Sequence, residues 1–279
     1  MSSSKKWKKF PPETLQAIFT AVEEDDTINP DARLQDEAIN LQCSQAMILG
    51  CYSLCLQFWE EGFTRTELLR LINKVINGGE LSETERMQYK YIRARYKHLR
   101  FAQRLYSKKH ESNFWFRQTT VFLGHFQDAF RNRKKSNICL YGYILRVFLS
   151  APAWTLVQYA LRHTKLDDEQ GFLTYRQDQI RKLQALLSKP ELSGKAFHDV
   201  RKIISQHVSY FDTVRSIDPE NKDAYQISQF LANINGLMGD KHDDMVADKL
   251  AGRRPYNQSA LLDDNIRQPL TLFLARYPL

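Results

Sequence analysis

Residues 238–245 read MGDKHDDM, which places Asp240, His242, Asp243 and Asp244 within two turns of a helix. Carboxylate oxygens and an imidazole at that spacing are ligands a divalent cation could use. A comparison within the chain argues against that use. YKYIRARYKHLRF (89–101) followed by TTVFLGHFQDAFRNRK (119–134) parallels FHDVRKIISQHVS (197–209) followed by LANINGLMGDKHDDMVADK (231–249). The alignment sets Lys90 against His198, Arg93 against Arg201, Gly124 against Gly239 and Asp128 against Asp243. The other acidic-stretch residues do not persist: Asp240 faces His125, His242 faces Gln127 and Asp244 faces Ala129. A divalent site needs several fixed ligands, so neither a metal nor any other cofactor is expected. What recurs is a glycine with an aspartate four residues on, and we read the chain as internally duplicated.

The second chemistry-bearing pattern is cationic. Lys90, Arg93, Lys97, Arg100 and Arg104 are spaced 3, 4, 3, 4, which aligns them along one helix face as a ridge about 21 Å long. No acid lies between Arg86 and His110. Like charges at i,i+4 destabilise a helix by a few tenths of a kcal/mol per pair, so a solvent face usually mixes signs. An unrelieved row suits an anion laid along it: arginine grips phosphate bidentately and lysine adds a point charge. The surroundings agree. Residues 86–135 hold 14 Lys and Arg, Lys134 among them, against Glu111 and Asp128, whereas the rest of the chain is net acidic within an overall charge of +8. One segment therefore carries the basic character, and a polyanionic partner is expected.

These residues must be positioned by helices. Eleven glycines and nine prolines in 279 residues are too few turns for an all-β chain, and Leu, Ala, Gln, Lys and Arg recur at helical spacing. The expectation is an all-α protein of two similar antiparallel helical bundles: residues 81–190 (the basic half) and 191–279 (the second bundle and tail). A helical extension over 1–80, with a disordered basic start over 1–12, precedes them. Ser82 with Glu85 predicts a capping box opening the long basic helix. Further helices are expected near 32–61, 113–135, 138–163 and 168–188. A mid-helix glycine costs about 1 kcal/mol relative to alanine, so Gly124 and Gly239 should mark close helix crossings. Asp128 and Asp243 would then pair with Arg93 and Arg201 and aim each guanidinium at the ligand.

The four cysteines form no CxxC pair, the basic start has no apolar run behind it, and AMILGCYSLCLQFW is too short to span a bilayer. A cytoplasmic protein without a membrane partner is expected, with a homodimer left open.

The motif K-x-x-R-x-x-x-K-H-x-R (Lys90, Arg93, Lys97, His98, Arg100) followed by LGHFQD resembles the CHAD domain, the conserved-histidine α-helical domain. FHDVR (His198, Arg201) followed by MGDKHD resembles that family's second occurrence. The resemblance covers about residues 85–253 and implies two helical bundles around a basic groove that binds inorganic polyphosphate, with no catalytic residue. The row, the basic segment and the resemblance together give the candidate contacts Lys90, Arg93, Lys97, His98, Arg100, Arg104, Lys134, His198, Arg201 and Lys202. The chain departs from the pattern in two places. Lys90 replaces the leading histidine, and Ser205, Gln206 and Val208 stand where the second copy should be cationic. The grip should be lopsided toward the first half, and the ligand could be another linear polyanion such as RNA.

Two rival readings remain. Arg93 with His98, and Arg201 with His207, resemble the R-x4-6-H signature of HEPN ribonucleases, although Ala94 and Lys202 follow the arginines where that family carries a polar residue. Tyr89, Tyr91, Tyr96, Phe101 and Tyr106 interleave with the cations and could stack on bases in a nucleic-acid-binding scaffold.

Overall fold

In the computed structural model, which describes residues 7–25, 28–29 and 31–279, regular structure is almost wholly α-helical. The chain forms two compact units, one from residues 1–10 with 48–167 and the other from 11–47 with 168–279. The segment read as an extension over 1–80 is thus shared between both units.

The second unit contains α1 (Pro12–Glu24) and the first unit takes up most of α2 (Gln45–Glu61), then α3 (Arg65–Ile76), α4 (Glu83–Tyr106), α5 (Phe114–Arg131), α6 (Lys135–Phe148) and α7 (Ala151–Arg162). The core of this unit is built around Trp59, whose ring lies 5.0–6.0 Å from Phe63, Tyr96, Phe116 and Trp154. Large aromatic rings bury much apolar area at little conformational cost, so this cluster ties α2, α4, α5 and α7 together. The basic start is partly fastened here. Trp7 Nε1 donates to the Arg162 carbonyl, and Gln57 bonds both backbone groups of the buried Phe10. Residues 1–6 of that start lie outside the described residues.

The second unit continues with α8 (Glu169–Leu187), β1 (Glu191–Leu192), α9 (Gly194–Ile217), α10 (Lys222–Leu250), β2 (Ala260–Leu261) and α11 (Asp264–Ala275). The two short strands pair antiparallel, Glu191 with Leu261 and Leu192 with Ala260. Arg176 is buried inside an aromatic cage, its guanidinium carbon 4.1 Å from the Tyr210 ring centroid and 5.5–5.6 Å from those of Phe172, Phe211 and Tyr277. Cation–π attraction strengthens as water is removed, which lets a cation occupy the heart of a core.

Two expected helices differ. Residues 31–44 are not helical, so α2 begins only at Gln45. The helix expected over 138–163 is two, α6 and α7, meeting at a 63° bend. Pro152 is the cause: its ring fixes φ and removes an N–H, which suits a first helical turn, and Ser150 before it is extended. Among the described residues, no single helix is long and apolar enough to cross a membrane.

A candidate polyanion interface on α4 and α5

Helix α4 starts with the capping box anticipated from the sequence, Ser82 accepting from the Glu85 amide and Glu85 accepting from the Ser82 amide. Glu85 also pairs with Lys74 and Arg70 of α3 at 2.7 and 2.8 Å, and these contacts hold its carboxyl down at about 2. The start of the basic helix is therefore pinned to α3, and Glu85 is already committed there. At the other end, Asn113 caps α5 by accepting from the Phe116 amide, and Gln103 Oε1 accepts from the Asn113 amide. His110 bridges the turn, one ring nitrogen 2.9 Å from the Arg104 carbonyl and the other 3.0 Å from Asp167. Helix α4 is thus fixed to α3 at its start and joined to α5 through a hydrogen-bonded turn at its end.

Between these ends Arg93 lies against Gly124. A Cβ built at Gly124 would lie 3.2 Å from an Arg93 terminal nitrogen, so the bare glycine backbone makes the seat for the guanidinium. Arg93 Nε is buried with no hydrogen-bond partner. Beside it, the Tyr89 hydroxyl donates to the Leu123 carbonyl, and burial drives that phenol's pKa far upward. In α9 and α10 the same contact recurs: a Cβ on Gly239 would lie 3.1 Å from an Arg201 terminal nitrogen. Each glycine therefore leaves room for an arginine side chain of the neighbouring helix.

Along α4, Lys90, Arg93, Arg100 and Arg104 are half-buried and Lys97 is exposed. Arg100 has its pKa lowered first by burial and then by the charges of Arg104 and Arg117. Arg104, one turn further along α4, and Arg117 on α5 thus both act on Arg100 as like charges. Among the described residues, no carboxylate forms an ion pair with Arg93, Arg100, Arg104 or Arg117. Arg117 was not among the candidates, because its approach to Arg100 depends on how α5 is rotated against α4. The signal available in the sequence was its place one turn inside the helix that returns past Arg100.

Other candidates fall elsewhere. His98 is buried with its ring 6.2 Å from Phe58, and burial lowers its pKa to about 3, so it does not line the row. Lys134 is exposed at the N-cap position of α6, in the turn after α5. Asp128 is exposed, and no Asp128–Arg93 ion pair exists among the described residues. Asp243 is exposed too, and its ion-pair partner is His242 at 3.6 Å rather than Arg201.

In the second unit His198 is exposed, its ring 6.4 Å from that of His242, and its pKa is lowered by burial and by Lys202 and His242. Lys202 lies 4.0 Å from Asp199. His198, Arg201, Gly239 and His242 thus gather at one crossing, but no cationic row extends from it. Farther along α9, Ser205 bonds Asn235, Gln206 bonds Tyr175, and Val208 is buried. His207 is buried as well, one ring nitrogen 2.9 Å from the Ile203 carbonyl, with a pKa near 3 because of burial and the Arg176 charge.

The chain matches no family model, no curated protein and no solved structure.

Proposed function

We propose that the protein binds a linear phosphate polyanion, inorganic polyphosphate in the first instance, along the row from Lys90 to Arg104 with Arg117 beside it, and that it does so without catalysis. The observation that carries this reading is the action of Arg104 and Arg117 on Arg100 as like charges. Repulsion between the half-buried Arg100 and the charges of half-buried Arg104 and exposed Arg117, with no carboxylate to neutralise them, costs free energy, which a bound anion would recover. Arg93, seated on Gly124 with an unpartnered Nε, offers a fourth guanidinium held in a fixed pose. The resemblance of both motifs to the CHAD domain supports polyphosphate over other polyanions, and internal duplication accounts for the recurrent arginine–glycine contact. A ribonuclease reading draws no support from His98 and His207, since both are buried and stay neutral at ordinary pH.

The test is a binding panel of long-chain polyphosphate, single-stranded RNA and duplex DNA at two salt concentrations, with the RNA checked for cleavage. Polyphosphate should bind most tightly and weaken steeply with salt, because each neutralised phosphate releases counterions. Cleavage of the RNA, lost on His98→Ala or His207→Ala, would overturn the proposal.

A further inference from the structure

Away from that row, the first unit contains an open cavity of about 800 Å³ between the α3–α4 turn, the end of α5 and the start of α6. The volume is within the roughly 300–1,000 Å³ range of small-molecule sites. Its wall is of two kinds. Val75, Ile76, Leu81, Phe130 and Ile138 make an apolar floor, while Arg86, Arg131, Arg133 and Lys135 stand around it with Glu80 as the one acid. Among the described residues, no carboxylate pairs with Arg131, Arg133 or Lys135. Arg133 has φ +53°, a left-handed conformation that a bulky residue adopts at a cost, and it closes the tight turn that carries these cations.

The apolar surface does not end at the cavity. Lys135 and Cys139 line it, and continuing at helical spacing along α6 come Tyr143 and Val147, both exposed. Leu156 and Tyr159 of α7 are exposed as well. From Ala129 to Leu166 the chain has no acidic residue and seven Lys and Arg: Arg131, Arg133, Lys134, Lys135, Arg146, Arg162 and Lys165.

We infer that this cavity binds an anionic amphiphile, a hydrocarbon chain with a phosphate or carboxylate head, the chain on the apolar floor and the head among Arg131, Arg133 and Lys135. A bare polyphosphate would leave the floor wetted, and a neutral hydrocarbon would leave the cations partly desolvated without a partner. A molecule that is both apolar and anionic satisfies both surfaces. Beyond Cys139, exposed Tyr143 and Val147 follow at helical spacing on α6, with the Arg146 guanidinium over the Tyr143 ring. The same chemistry is presented by a free single-chain amphiphile and by an anionic lipid in a bilayer.

The full-length protein supplies its own reporter. Of the four cysteines only Cys139 is exposed, and it lines the cavity, so a water-soluble maleimide should label it selectively. Dodecyl phosphate, below its micelle concentration, should bind with 1:1 stoichiometry by calorimetry and slow Cys139 labelling at least tenfold. Dodecyl maltoside, with the same chain and a neutral head, should bind at least tenfold more weakly. Arg131→Glu with Arg133→Glu, both on exposed residues and expected to fold normally, should weaken dodecyl phosphate at least tenfold, as should Ile138→Trp by filling the floor.

A second arm uses sedimentation with vesicles of phosphatidylcholine alone or mixed with phosphatidylglycerol. Protection of Cys139 by free dodecyl phosphate assigns the site to a soluble amphiphile; protection only by phosphatidylglycerol vesicles assigns it to a membrane lipid. No protection in either arm, equal affinity for dodecyl maltoside, or an unchanged affinity in the charge-reversed variant would overturn the inference. So would protection by inorganic polyphosphate equal to that by dodecyl phosphate, since the rim would then belong to the polyanion row. Failure on the first three counts leaves that row's own binding panel unaffected.

Discussion

The crossing of α4 with α5 and the crossing of α9 with α10 share one contact and differ in what surrounds it. In each, an arginine on the first helix rests against a glycine on the second, with nearly identical clearances of 3.2 and 3.1 Å to a would-be Cβ. Beyond Arg93, α4 keeps presenting cations at the edge of its buried face, and Arg117 of α5 adds another. Beyond Arg201, α9 is buried on nearly every side from Ile203 to Val214, so its side chains are spent on packing and on bonds to Asn235 and Tyr175. A helix wrapped that completely has no face left for a charged row, since a buried unpaired cation costs several kcal/mol. The arginine–glycine seat is common to both crossings and the cationic row belongs to one, so the proposed polyanion binding predicts a difference between them.

The largest expected effect tests a feature common to both regions. His98 and His207 follow their arginines by five and six residues, and both are buried with pKa values near 3 against the ordinary 6.5. Because these folded-state values are depressed, the unfolded chain takes up protons first as pH falls. Stability is fully present above pH 6.5 and is lost between about 6.5 and 3, at up to about 1.4 kcal/mol per pH unit for each histidine. Urea midpoints measured across that range should fall with acid, and His207→Gln should flatten the slope. A midpoint that is constant down to pH 4 would show that the rings are accessible to protons in the folded state.

Next comes the seat itself. Gly124→Val and Gly239→Val each force a β-branched side chain against a guanidinium and should cost about 1–3 kcal/mol in chemical unfolding. The two should part company in binding: Gly124→Val displaces Arg93 from the row and should weaken polyphosphate roughly tenfold, whereas Gly239→Val should change it less than about threefold. Equal binding losses would erase the distinction between the crossings.

The smallest effect concerns the aspartates. The expectation that they orient the arginines finds no ion pair between Asp128 and Arg93, and Asp243 sits with His242. Asp128→Asn should therefore leave polyphosphate affinity within about twofold by calorimetry. A tenfold loss would mean that the pair forms once the anion is bound.

Much of this arrangement was legible in the sequence because its cause is local. The Ser82–Glu85 box and the helical class both follow from short-range chemistry. Segments that depend on distant partners were not legible. Residues 31–44 have helix-compatible composition yet are irregular, and the interleaving of residues 11–47 with 168–279 is a matter of long-range packing. The bend at Pro152 carried a local signal, a proline suited to a first turn, that the apolar run on either side of it masked. His98 fell on the motif's spacing, but one residue after Lys97 is about 100° around the helix, which puts it on another face, against Phe58. Arg117 was missed for the converse reason: it is brought to Arg100 by tertiary structure alone.

The asymmetry between the two crossings can be isolated in one titration. Long-chain polyphosphate is titrated at low salt into the wild type, into Arg100→Glu with Arg104→Glu, and into Arg201→Glu with Lys202→Glu. Each variant reverses two positive charges, so net charge is matched. Losing two charge-assisted contacts at roughly 1.5–3 kcal/mol each predicts a drop of at least about 100-fold for the α4 variant. The α9 variant should lose no more than about threefold. Comparable losses in the two variants would contradict the account, since binding would then follow overall charge and not the row on α4.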